Sequence, residues 1–147
     1  MAQAFHWFDR PKFKQECQRI LKNNGKVVLV WNIRNYRHDI VKKDYTIREK
    51  FSVGDAKGLS SEEKPINVFD NFFINGEYEE LTFANDLLLK RDDYIGMNLS
   101  RSYAPDETKH PNKHHGFVAD LNKIFDEYSD NGILRYPHVT KGYVGRV

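Results

Sequence analysis

The sequence predicts an α/β fold in which short helices alternate with strands, and three stretches carry that prediction. Phe13, Cys17, Ile20 and Leu21 repeat at spacings of four, three and one, which lays a single apolar stripe along a helix. Val27 to Trp31 is an unbroken apolar run, too short for a helix and lacking the alternation of a half-exposed strand. Such a strand is expected to be buried on both faces, as in a parallel sheet. Phe117, Leu121, Ile124, Phe125 and Tyr128, spaced four, three, one and three, mark a second amphipathic helix.

Composition bounds what these elements can build. A chain of 147 residues suits one domain, here 1–147, around one core. Ten Phe and eight Tyr argue against global disorder. The 23 Lys and Arg are interspersed with 21 Asp and Glu, so there is no electrostatic footprint for a nucleic-acid partner. Cys17 is the single cysteine, which excludes an intrachain disulfide and fits a reducing, cytoplasmic location. No apolar run approaches the roughly 20 residues that span a bilayer, and no membrane partner is expected.

Taken in order, Ala2 to Phe8 is too aromatic for a frayed terminus and is expected to be pinned. Asp9 caps the first helix and Pro11 is tolerated in its first turn. Asn23, Asn24 and Gly25 end it, Gly25 suiting the left-handed position beyond the last turn. Ile40, Tyr45, Ile47 and Phe51 place a helix within Tyr36 to Phe51, and Gly54, Gly58, Ser60 and Ser61 mark a loop. Ile66, Val68, Phe69, Phe72 and Phe73 form an aromatic segment, Tyr78 to Phe83 reads as a strand, and Leu87 to Leu89 is apolar. Asp92 and Asp93 open a helix through Ile95 and Leu99. Tyr103 to Pro111 is a loop, Gly132 closes the long helix, and a terminal strand follows Pro137.

The motifs AFHWFD, RILKNNGKVVLVWNIRN, Leu81 to Phe83, LSRSYAP, FVADLNKIFDEY and TKGYVGR occur in an order that resembles a known family. It is the C-terminal portion of class I S-adenosylmethionine (SAM)-dependent methyltransferases, of the small-molecule kind grouped as type 11. The resemblance implies a partial Rossmann-like fold: C-terminal strands with flanking helices, the last strand antiparallel and lying between the fifth and sixth. It also implies that 34–76 and 90–115 are substrate-lid or insertion segments. The family's glycine-rich turn and strand-ending ribose acid hold the cofactor. Neither precedes Gln3, and Gly142 and Gly145 do not follow the required strand and helix order. The chain is therefore expected to be truncated, and SAM, the family's cofactor, is not expected to bind to it alone.

Site residues follow by the same resemblance. Gln3, Ala4 and Phe5 would line the cofactor side. His6 and Trp7 would face the substrate, His6 as a base because histidine exchanges a proton near neutral pH; an imidazole that only packs is the alternative. Trp7 and Trp31 either wall a substrate pocket or sit in a core. Asn32 and Arg34 lie just past a strand's C-terminal end, where open α/β sheets bind ligands, or are solvated loop residues. Tyr103 joins the pocket from the resemblance alone. His110, His114, His115 and His138 match no metal-ligand spacing, so no metal is expected. Cys17 on an apolar stripe reads as inert. Arg34, Arg37, Lys42, Lys43 and Arg48, interleaved with Asp39, Asp44 and Glu49, read as a solvated helix face.

Two functions remain open. One is a methyltransferase part acting on a small molecule with a complementary N-terminal half. The other is a non-catalytic oligomeric remnant or small-molecule-binding module. An exposed apolar edge on Val27 to Trp31 predicts a homo-oligomer through that edge, or pairing with the complementary half. No residue encodes the methyl acceptor.

Overall fold

A computed structural model describes residues 1–54, 69 and 71–147. Gly58, Ser60, Ser61, Ile66 and Val68 lie outside the described residues. Among the described residues the architecture is mixed α/β, with four α-helices and two three-stranded sheets. The chain divides into two compact units, Met1–Ile33 with Pro65–Asn85 and His138–Val147, and Arg34–Lys64 with Asp86–Pro137. Each has its own apolar core.

In the first unit, helix α1 (Arg10–Ile20) starts where expected. The Asp9 carboxylate accepts from Lys12 N at 3.1 Å, and Pro11 sits in the first turn, where a missing amide costs nothing. Cys17 is buried with Phe13 and Leu21 packed beside it, but Ile20, although on the apolar spacing, is 60% exposed. Asn24, not Gly25, takes the left-handed conformation after the helix, at φ 66°. Gly25 is needed for space: a Cβ there would lie 2.9 Å from the Lys22 carbonyl oxygen and 3.0 Å from Leu21 Cβ.

Strand β1 (Val27–Arg34) leads into a sheet ordered β1-β6-β2, with β2 at Glu79–Ala84 and β6 at His138–Gly145. β2 and β6 are antiparallel, from Glu79 opposite Val144 to Ala84 opposite Val139. The expectation that β1 is buried on both faces is corrected. Its residues alternate, with Val27, Leu29 and Trp31 inside and Val28 43% exposed, because β1 covers the core with one face. Its outer edge receives a short stretch of the N-terminus. Ala2 bridges Val30 in parallel, Val30 N donates to Met1 O at 2.8 Å, and Gln3 N donates to Val30 O at 2.9 Å. The core beneath is aromatic, with Phe5, Trp31, Phe69, Phe72, Phe73 and Tyr143 in mutual edge and tilted contacts.

The second unit holds α2 (Asp39–Phe51), β3 (Leu87–Leu89), α3 (Arg91–Leu99), α4 (Pro111–Tyr128), β4 (Ser129–Asp130) and β5 (Ile133–Tyr136). The α4 stripe behaves as its spacing predicts. Phe117, Leu121, Ile124 and Phe125 are buried in one cluster with Ile40, Val41, Tyr94, Leu134 and Tyr136. Gly116 permits the close approach of α4 to α2, since a Cβ there would meet Phe51 Cε1 at 2.7 Å. Asp92 and Asp93 occupy the first turn of α3, where the helix dipole favours negative charge.

Gly132 has a different role from helix closure. Asn131 and Gly132, at φ 49° and 76°, form the two-residue loop between β4 and β5, with Asp130 opposite Ile133. Positive φ at both loop residues matches the right-handed twist of a hairpin. Strand β5, unforeseen because only four residues separate Gly132 from Pro137, forms the middle of the sheet β3-β5-β4. Among the described residues, no helix is long and apolar enough to cross a membrane.

Candidate functional site

The residues singled out in the sequence fall in both units. In the first, Phe5 is fully buried, its ring 4.7 Å from Phe72 and 6.2 Å from Trp31. Trp31 is likewise a core residue, against Phe5, Phe69 and Tyr143. His6 and Trp7 lie on the exposed side of a 3₁₀ turn (Phe5–Trp7), ring centroids 4.9 Å apart, with Trp7 80% exposed. Ala4 precedes that turn and is half-buried.

Gln3, at φ 56°, occupies a backbone region that non-glycine residues rarely visit. Its side-chain amide donates to the Asn32 carbonyl at 3.2 Å. The Asn32 side-chain oxygen in turn accepts from Thr140 Oγ1 at 2.6 Å and from Asn85 Nδ2 at 3.3 Å. Gln3, Asn32, Asn85 and Thr140 thus form one exposed polar group at the end of β1 and β6.

Arg34 and Tyr103 belong to the second unit, and there the structure gathers residues that the sequence reading left on a solvated surface. Asp44 and Arg48, one turn apart on α2, are 0% and 2% exposed. This corrects the solvated-face reading: Ile40, Asp44 and Arg48 share one side of the helix at a spacing of four, and that side is the buried one. An opposite-charge pair set on an apolar spacing was the available signal.

The Asp44 carboxylate is fully engaged. It accepts from Tyr94 OH at 2.9 Å and from Tyr136 OH, and Arg48 Nε lies 3.2 Å from its Oδ2. Arg48 Nε also donates to the Asp44 carbonyl at 3.1 Å, and Arg48 Nη1 makes a long 3.4 Å contact to Tyr103 OH. Tyr103 is held by its backbone, whose carbonyl accepts from Val53 N at 3.0 Å. Asn35, the residue after Arg34, donates its N–H to Pro137 O at 3.0 Å, directly after Tyr136, and the Arg34 charge acts on the Tyr136 phenol.

Electrostatics follow from this packing. Burial, then the Asp44 charge, pushes the Tyr94 and Tyr136 phenols well above the ordinary tyrosine range, so both remain proton donors. For Arg48, burial opposes the charge, but Asp44 and the Tyr103 hydroxyl more than offset it and the guanidinium titrates above its usual value. Arg101 is displaced the other way. The residue as a whole is exposed, yet desolvation of its guanidinium, followed by repulsion from Arg34, lowers it, with a smaller contribution from Arg48. Four buried atoms have no hydrogen-bond partner among the described residues: Nε and Nη2 of Arg34, Nη2 of Arg48 and Oδ1 of Asn98.

The described residues do not fit a methyl-donor cradle of the glycine-turn kind. Strand β1 leads to α2 through Asn35 to His38, and β3 leads to α3 through Lys90, so neither strand-to-helix turn contains glycine. The left-handed glycines, Gly54, Gly76 and Gly132, lie elsewhere. Phe5 is fully buried in the core of the first unit. No group of three His, Cys, Asp or Glu side chains among the described residues is arranged to hold a metal ion. Cys17 is a buried thiol raised by burial and then by the Glu16 charge.

No profile of a known protein family matches the chain. A protein of Schizosaccharomyces pombe named an uncharacterized methyltransferase is 37% identical over 69 residues, which is 47% of this chain and 24% of that protein. A second protein of the same organism, named uncharacterized methyltransferase-like, is 53% identical over 34 residues, 23% of this chain and 13% of that protein. The chain therefore matches about a quarter or less of the length of these relatives. Over that part it is similar to proteins named as methyltransferases.

Proposed function

We propose that this chain is the acceptor-side part of a class I SAM-dependent methyltransferase of the type 11, small-molecule kind, with a partial Rossmann-like fold. The donor-holding glycine turn lies, on this reading, outside the 147 residues. The observation that carries it is the strand order β1-β6-β2 with β6 antiparallel to β2. That is the arrangement the resemblance requires of the last strand between the fifth and sixth. The partial similarity to the two S. pombe proteins supports the same reading.

Methyl transfer is an in-line displacement, so what a protein adds is orientation of the acceptor, exclusion of water and, for some acceptors, removal of a proton. In this proposal Arg34 and Tyr103, in the second unit, are among the acceptor-binding residues, and Trp7 and Asn32, in the first unit, are candidates by the resemblance. His6, exposed beside Trp7, is the candidate base. The test is transfer of labelled methyl from SAM to small-molecule acceptors, by the chain alone and joined to the N-terminal part of the 37%-identical relative. Transfer by the joined protein and none by the chain alone is expected. A joined protein that folds by circular dichroism, binds SAM and transfers to no acceptor would contradict the proposal.

A second reading, a non-catalytic oligomeric module, is favoured by one observation. Val28 is 43% exposed on the face of β1 turned away from the core, whereas the outer edge from Val28 to Asn32, expected to be open, is paired with Met1 to Gln3. Self-association on this reading uses the exposed apolar face rather than the edge. A strictly monomeric mass by light scattering at high concentration would count against self-association.

A further inference from the structure

The guanidinium groups of Arg34 and Arg48 carry buried donors that have no partner among the described residues. Arg48 commits Nε to Asp44 and Nη1 to the long contact with Tyr103, while its Nη2 is buried and unpartnered among the described residues. Arg34 leaves both Nε and Nη2 in that condition. These two nitrogens share one edge of the guanidinium, the edge whose parallel N–H bonds match the paired oxygens of a carboxylate. Arg101 is near enough for the Arg34 and Arg48 charges to repel it. Asp44, the carboxylate that Arg48 meets, is already engaged by two phenols. Among the described residues, one carboxylate, Asp44, is paired with this group of guanidiniums. Buried charged donors without partners are costly, and an anion with paired oxygens relieves both the charge and the missing hydrogen bonds.

We propose that Arg34, Arg48 and Arg101, with the Tyr103 hydroxyl, seat a small dicarboxylate. Resting on the methyltransferase reading above, that molecule is the methyl acceptor, and these residues set its specificity. Arg34 supplies the bidentate edge, Arg48 Nη2 a second donor, and Arg101 charge from the exposed side. Asp44, Tyr94 and Tyr136 are positioning residues, which hold Arg48 by Nε so that Nη2 is left for the ligand.

The experiment is calorimetric titration of the 147-residue chain with succinate, acetate and inorganic phosphate at matched ionic strength. Succinate is expected to bind saturably, one to one, with acetate weaker by about tenfold or more. Arg34→Gln, and Arg34→Lys, which keeps the charge and loses the fork, are each expected to weaken succinate by about tenfold or more with the thermal transition unchanged. Lys42→Gln, on the exposed face of α2, is expected to change nothing. The absence of saturable succinate binding would overturn the proposal, as would phosphate binding tighter than succinate, or Arg34→Gln binding like the original chain. The titration contains no methyl donor, so its failure leaves the methyltransferase reading standing, and failure of methyl transfer leaves the titration unaffected.

Discussion

At the scale of single residues, Asp44 is the most consequential side chain in the second unit. It is buried beneath two phenols and a guanidinium, and its removal strands the Arg48 charge in the core. Asp44→Ala is expected to cost about 3–5 kcal/mol in urea unfolding, because breaking one side of a buried pair leaves the other uncompensated. The phenols make a second prediction, whose sign follows from their shift. Tyr94 and Tyr136 are raised in the folded state, by burial first and the Asp44 charge next. Their contribution is complete below the unfolded tyrosine value of about 10 and is lost as pH rises through and above it. In that alkaline window the unfolded chain releases protons that the folded one keeps, and stability should fall by about 1.4 kcal/mol per pH unit for each tyrosine. Tyr136→Phe should remove one such slope, read from urea midpoints between about pH 9 and 11. An unchanged slope would show that Tyr136 ionises freely.

At the scale of elements, helices were the most legible features and strand environments the least. The α4 stripe from Phe117 to Phe125 was readable because its spacing coincides with one buried face. Helix α1 was readable from Asp9 and Pro11. The environment of β1 was not, since Val27 to Trp31 is apolar throughout and nothing in the run shows that only one of its faces is covered. The site was less legible still. Asp44 and Arg48 alternate with exposed charges, and no local pattern reveals that Tyr94 and Tyr136, from two other elements, enclose them. Arg34 and Tyr103 were singled out, but not the pair between them. Two glycines test the packing of the elements. Gly145→Ala would drive a Cβ to 2.5 Å from Phe73 Cδ1 and 2.8 Å from the Glu77 carbonyl, and Gly116→Ala to 2.7 Å from Phe51 Cε1. Both should destabilise by about 1–3 kcal/mol, as overpacking does, with Gly145 the worse because backbone cannot move aside as a ring can. Thermal melts of the two variants check the order.

At the scale of the whole molecule, the chain has two cores, an aromatic one under β1-β6-β2 and an α2-α4 one that encloses the Asp44 network. On the proposed function the chain supplies the acceptor side of a methyltransferase and does not itself hold the methyl donor. Calorimetric titration of the 147-residue chain with S-adenosylhomocysteine tests that division most directly. No saturable heat of binding is expected, and tight one-to-one binding would contradict the proposed function.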